Sequence, residues 1–484
     1  MPSDHSKNVT SGRCARTYAL GLMLALGMGA AAQEAGAQTA PGPAPVAAQA
    51  SASSFQGSVA VGEVSPQAVD LTLDDAIQRG LRANLGVILS GTQTAAARAQ
   101  RLSLLQSLLP DVEAYAREAE MQVDLAAEGL RIPGFPTIVG PFGFTDIRAT
   151  LAWSLVDVKS LRTYLAAKHS FNAAQLSAQD ARELVVLTVG NAYLLAVSDE
   201  TRVTSVQAQV DTAKISLDQA VQRHAAGTAP MLDELRARVD YQSLQQQLIV
   251  AQNALEKDRL GLARTIGLPL AQKFHLVDKA PYAAFDQLDV NAAIGQAHAN
   301  RKDLKAMLEQ TQAAEQLRKA AAADRYPTLN ASADYGDIGV NVRHSHGTVD
   351  GSGTVSVPVF KEFALRGEAE QAQSQLDTQR AQLSDMKAQV DADVRDALLD
   401  IASAQQQVEV ARSSVELANE ELKEAQERYV AGVSDNLGVS QAEQSLAQAN
   451  EQYVGSLYRH NIAKLSLARS LGAAEDYKRY LGGK

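Results

Sequence analysis

The chain says nearly the same thing twice. Arg-x-x-Ala-Gly occurs at "RHAAG", beginning at Arg223, and at "RYVAG", beginning at Arg428, 205 residues apart. The spacing persists: Leu232 matches Leu437, and "LARTIG" ending at Gly267 matches "LARSLG" ending at Gly472. Upstream the offset is 217, pairing Pro110 of "LLPDVEAYA" with Pro327 of "RYPTLNASA", and Val87 with Leu304. The chain therefore reads as a tandem duplication, 70–285 and 286–484, with about 13 extra residues between Pro110 and Trp153 of the first copy. Any fold has to place one supersecondary unit twice.

Ahead of the first copy lie Arg13 and Arg16, the apolar run "YALGLMLALGMGAAA" and a small-residue stretch. That order marks 1–38 as a secretory signal peptide, its apolar run short for a membrane span. Cys14, the only cysteine, precedes the run, so the exported chain is expected to carry neither a lipid anchor nor a thiol. Residues 39–69 are rich in Pro, Ala and Ser and read as a flexible tether.

Each copy then has the same grammar. In the first, Thr72 caps a helix whose first turn holds Asp74 and Asp75, and the helix runs to about Leu109, where Pro110 stops it. Beyond Pro110 the hydrophobic period becomes two. Ile147, Ala149, Leu151, Trp153 and Leu155 alternate with Arg148, Thr150, Ala152 and Ser154; Leu329, Ala331, Ala333 and Tyr335 with Asn330, Ser332 and Asp334; and Val355, Val357 and Val359 with Thr354, Ser356 and Pro358. A weaker strand holds Val112, Ala114 and Ala116. Each copy thus offers one β-hairpin, over about 111–156 and 328–360. Residues 157–226 contain no Pro and one Gly, so the spacing predicts about 100 Å of helix, repeated at 361–431. Shorter helices return over 230–267 and 434–471, each closed by a Gly suited to a left-handed cap. The two Arg-x-x-Ala-Gly stretches are the tips of helical hairpins.

Composition narrows the function. The sequence is 46% hydrophobic but 5% aromatic, which suits long helices packed through small side chains, and its net charge of −10 argues against a nucleic-acid partner. Four strands with one apolar face, in an exported chain with no later apolar run of membrane-spanning length, need lipid or each other to cover them. Sheets cross membranes as closed barrels, and four strands do not close one. Three copies supply twelve strands and bring three sets of long helices together. The expected fold is an α+β membrane protein: a homotrimeric 12-stranded β-barrel continued by a coiled-coil helical barrel. Ile147, Leu151, Trp153, Leu329, Tyr335, Val355 and Val357 are its expected lipid-facing residues.

The order of "LTLDDAIQRGLRANL", "LLP" and "YPTL" before the strands, "VSVPVF" before a long helix, and the doubled Arg-x-x-Ala-Gly and "LARxxG" resembles TolC-like outer-membrane efflux proteins over 70–475. The resemblance implies a homotrimeric channel-tunnel in the outer membrane with a periplasmic extension, working with a periplasmic adaptor and an inner-membrane pump. On that reading the tips, Gly227, Thr228, Ala229 and Pro230 with Gly432, Val433, Ser434 and Asp435, face the adaptor. The family's periplasmic gate commonly has a bulky aliphatic and an Asp four residues later, which here fall on Leu437 and Gln441, with Leu232 and Arg236 as counterparts. Leu recurs in both copies and Asp in neither, so the expected ring is neutral or positive. The alternative is a periplasmic coiled-coil adaptor or a structural protein of an export complex.

Nothing argues for an enzyme or a cofactor. "RHSHG", with His344 and His346, lacks the carboxylates or Cys that would complete a metal site. The Pro- and Gly-rich "GLRIPGFPTIVGPFG" is an expected outer loop.

Overall fold

The computed structural model describes residues 55–481 apart from 128, 279–281, 287 and 435. The expected signal peptide, 39–54 of the expected tether, and Asp435 lie outside the described residues.

Strand β1 (Val69–Leu71) leads into α1 (Leu73–Ala83), where Thr72 Oγ1 accepts from the Asp75 amide at 3.1 Å, the expected cap. The helix does not run on to Leu109. It breaks at Asn84 and resumes as α2 (Leu85–Gln106). Asn84 leaves helical geometry, at φ −66° and ψ 133°, because its side chain accepts from the Gly86 amide at 2.9 Å and donates to the Phe55 carbonyl at 2.7 Å. The second copy breaks 217 residues later, at Arg301, between α5 (Val290–Asn300) and α6 (Lys302–Ala323).

Residues 55–69, expected to belong to the flexible tether, are tied down. Val59 donates to Ala83 O and Val61 to Gly267 O, each at 2.9 Å, and the Phe55 ring is buried. Backbone donors and acceptors along this stretch pair with the first copy instead of water. β1 continues the attachment by pairing in parallel with β4 (Phe274–Leu276), a small sheet the alternation pattern is too short to announce.

Strands β2 (Asp111–Asp124), β3 (Ile138–Val156), β5 (Thr328–Gly339) and β6 (Ser345–Ser356) form one antiparallel sheet in the order β2-β3-β5-β6. The long segments are single helices: α3 (Val158–Ala225) of 68 residues and α7 (Glu362–Val430) of 69. At 1.5 Å per residue each is about 100 Å long. They return through α4 (Met231–Ile266) and α8 (Asn436–Ser470), and α9 (Tyr477–Leu481) ends the described chain. Each copy builds its own core. Leu71, Ile77, Val185, Val189, Tyr193 and Leu262 build one, and Leu304, Val390, Val394 and Leu467 the other. Contrary to the hydropathy expectation, α3 contains a stretch apolar and long enough to cross a membrane, but 56% of it is buried inside the fold.

Candidate functional site

Register decides which strand residues share a face, because residues directly opposite point the same way. Val112 pairs with Leu151, Leu151 with Ala333, and Ala333 with Gly351. Ala114, Ala149, Tyr335 and Val349 form the next apolar row, and Trp153, Ala331 and Gly353 another. Ile147, Leu329 and Val355 fall on the same face by alternation, and Val357 follows just beyond β6. Most of these side chains are open in the single chain: Tyr335 is 69% exposed and Val355 65%. Leu151 and Leu329 are half-buried. Trp153 Nε1 donates to Leu108 O at 3.2 Å, which ties this face to the end of α2.

The opposite face is polar and internally bonded. Arg148 donates to Asp146 at 2.7 Å and to Asp334 at 2.7 Å, and Tyr115 Oη reaches Asp146 at 3.3 Å. Ser332 and Ser352 hydroxyls are 2.8 Å apart. Glu113, Thr150, Asp334 and Asp350 occupy one rung across all four strands. The alternation marked these positions as polar, while their cross-strand partners depended on register.

At the far end the two tips are built alike. Gly227 (φ 70°) and Gly432 (φ 72°) follow the long helices; the next residue in each, Thr228 or Val433, donates its amide to Arg223 O or Arg428 O at 2.9 and 3.1 Å. Thr228 Oγ1 also donates to Arg223 O at 3.0 Å, so its side chain belongs to the cap. Sequence reasoning missed the contact joining the tips. The Arg223 guanidinium lies 4.4 Å from the Tyr429 ring centroid and donates to Tyr429 O at 2.9 Å and Val430 O at 3.3 Å. A cation there answers the last carbonyls and the negative end of α7. The repeated Arg was visible; its partner was not.

Leu232 and Leu437 sit in the first turns of the return helices, 53% and 41% exposed, so neither is hairpin core in the single chain. Arg236 is half-buried and Gln441 exposed, each about one turn further on. Ala229 is half-buried and Pro230 exposed. Along the second tip Val433 is exposed and Ser434 half-buried.

Between sheet and tips lies a charge cluster, of which Arg301 is paired within the second copy and Arg469 reaches across to the first. Arg301, 6% exposed, bonds Asp303 and Asp393, each at 2.6 Å; Arg469 bonds Asp180 at 2.5 Å and lies 3.4 Å from Glu183. Burial pushes the Glu183 carboxyl up to about 7, against the pull of Arg469. Burial also opposes ionisation of Asp303, but its hydrogen bonds to Arg301 prevail and hold it below the usual range.

The sequence matches the family described as outer membrane efflux protein over residues 92–268 and 293–473. Among solved structures, the Campylobacter jejuni CmeC outer membrane channel shares 16% identity, covering 88% of this chain and 95% of that one, with a TM-score of 0.75. The outer membrane protein VceC of Vibrio cholerae gives 20%, 83%, 96% and 0.72, and the open state of the Neisseria gonorrhoeae MtrE outer membrane channel 18%, 89%, 94% and 0.69. Among curated proteins no match was found.

Proposed function

The chain belongs to the outer membrane efflux protein family, and we propose that three copies close their sheets into a twelve-stranded barrel continued by a helical tunnel about 100 Å long. Membership makes the protein an outer-membrane transport channel and not an enzyme, and removes the alternative of a periplasmic adaptor. In the proposed assembly the apolar face meets lipid and the Arg148–Asp146–Asp334 face lines a wet lumen. Substrate enters from an inner-membrane pump through a periplasmic adaptor, which docks on Gly227–Pro230 and 432–435. Leu232, Arg236, Leu437 and Gln441 form the gate just inside the tips. The signal peptide delivers a chain without lipid anchor, divided into copies 70–285 and 286–484.

One observation carries this reading: four strands, from two halves of the chain, present their apolar alternate residues on a single face. Lipid contact follows because open sheet edges are costly in hydrocarbon and a polar lumen needs the other face. Leu151→Arg is expected to cost a few kcal/mol near the bilayer midplane and to deplete assembled channel, whereas Thr150→Arg leaves its amount unchanged. Equal loss from both, measured as trimer extracted from outer membranes, overturns the assignment of faces.

A further inference from the structure

Along α8 three polar side chains about one turn apart, Ser456, His460 and Lys464, are closed off from solvent, the last two completely. Buried ionisable groups are normally paired. The first copy shows such pairing: Arg259, the counterpart of Lys464, lies 3.0 Å from Glu256 and 3.6 Å from Glu200. The second copy has neither carboxylate, with Asn461 and Gln405 in their places, and it has His460 where the first has Leu255. Among the described residues Lys464 makes one side-chain hydrogen bond, donated to the Ala283 carbonyl, and neither ring nitrogen of His460 has a partner. Residues 282–285, a segment without helix or strand at the junction of the copies, lie over this stripe. The Tyr282 ring is 5.3 Å from the His460 ring, the Ala283 carbonyl takes the Lys464 ammonium, and the Phe285 ring stacks on Tyr480 of α9 at 6.3 Å.

We propose that residues 282–285 are an acid-released strap, which fastens α8 to α9 while His460 is neutral and lets go when His460 takes a proton. The cause is charge without counter-charge. α8 packs against α3, α4, α7 and α9, yet the one charged group among the described residues that acts on His460 is Lys464, a turn further along the same helix. Glu409 of α7 bonds the Tyr282 hydroxyl instead, beside Arg412 of α7 and Tyr453 of α8. A proton on His460 therefore puts two cations side by side in a dry site, and lifting the strap returns both to water. Burial, and after it the Lys464 charge, lowers the docked imidazole from 6.5 to about 4. Docking is thus at full strength above 6.5 and is lost as pH falls from 6.5 towards 4. Burial also lowers the Lys464 ammonium to about 8, which leaves it mostly charged at neutral pH. The second copy thereby carries an acid-sensitive fastening where the first has an ion pair.

The test is amide hydrogen exchange of residues 282–286 in the purified full-length channel, read as protection factors so that the intrinsic pH dependence of exchange divides out. Between pH 7.5 and pH 5 protection should fall about 30-fold in the parent. His460→Leu, which installs the residue that the first copy buries at the equivalent place, should hold protection level over that range. Lys464→Gln keeps a donor for the Ala283 carbonyl and removes the neighbouring charge, so its fall should be smaller than the parent's. A His460 that serves only to fill space gives a variant with lower protection at every pH and the parent's slope; that outcome, or a level parent, overturns the strap. Where His460→Leu does not assemble, Lys464→Gln decides, and a fall as large as the parent's overturns it. The strap lies within one chain, so none of these results depends on subunit number.

Discussion

The two copies bend at equivalent residues and hold the bend by different chemistry. At Asn84 a neutral amide caps α2 and grips the Phe55 carbonyl of the docked N-terminal segment. At Arg301 a buried guanidinium spans Asp303 and Asp393. The backbone constraint is shared: a Cβ on Gly267 would fall 2.6 Å from Ala83 Cβ, and one on Gly472 2.7 Å from the Arg301 amide nitrogen. Duplication thus preserved the joint, and neighbours chose the side chain. The first joint has the 55–61 backbone beside it to bond; the second has Asp303 of its own helix and Asp393 of α7.

The sharpest way to break this comparison is to remove both gripping side chains. Arg301→Met leaves Asp303 and Asp393 without their shared cation in a mostly buried place, at an expected cost of about 3–5 kcal/mol. Asn84→Ala removes a cap and one further hydrogen bond, at about 1–2 kcal/mol. Denaturant melts of purified channel should rank them in that order; the reverse would mean that the charged joint is dispensable. Because the glycines answer one backbone constraint, Gly267→Ala and Gly472→Ala should instead cost alike, roughly 1–3 kcal/mol each, through positive φ and overlap. Unequal losses would show that the joints differ in backbone as well.

How much of this was legible depends on what carries each feature. The strands were readable because period two is written in the residues, and twice. The joints were not, because Asn84 and Arg301 are ordinary residues in an apolar helical rhythm and break it only through tertiary partners. The docking of residues 55–69 hid in a low-complexity stretch, where Phe55 alone signals burial. At the tips the caps followed from Gly, but Arg223's partner depended on how the hairpins stand side by side. The gate positions came from resemblance to a family, with only the recurrence of Leu to support them from the residues.

A smaller difference between the copies concerns pH. Glu183 has Ala388 as its counterpart, so only the first copy buries this carboxyl. Its value is raised from 4.5 to about 7, so the folded state holds the proton more tightly than the unfolded chain does. Stability from this group is therefore present below 4.5 and is lost as pH rises towards 7. Glu183→Gln should match the parent at pH 4.5 and exceed it by about 1–3 kcal/mol at pH 8. Parallel stability curves for the two proteins across that range would contradict it.

The smallest expected effect tests the copies at the proposed gate, where Leu232 matches Leu437 but Arg236 stands against Gln441. The shared Leu predicts a shared steric role: Leu437→Ala should raise single-channel conductance, as should Leu232→Ala. The unshared position predicts an electrostatic difference. Each subunit contributes Arg236 and no carboxylate at these four positions, whereas the polar strand face holds Asp111, Glu113, Asp146, Asp334 and Asp350 against Arg117 and Arg148. In the proposed assembly the barrel face favours cations while Arg236 at the gate opposes them, and the narrower place dominates selectivity. In a wet pore one charge at close range contributes about 1 kcal/mol, so Arg236→Glu should move permeability toward cations by about two- to tenfold. Gln441→Glu should move it the same way by less, having no cation to remove. Planar-bilayer reversal potentials measure both. If neither substitution shifts selectivity and neither Leu change alters current, at normal channel abundance, the narrow ring lies elsewhere and the copies do not differ at the gate.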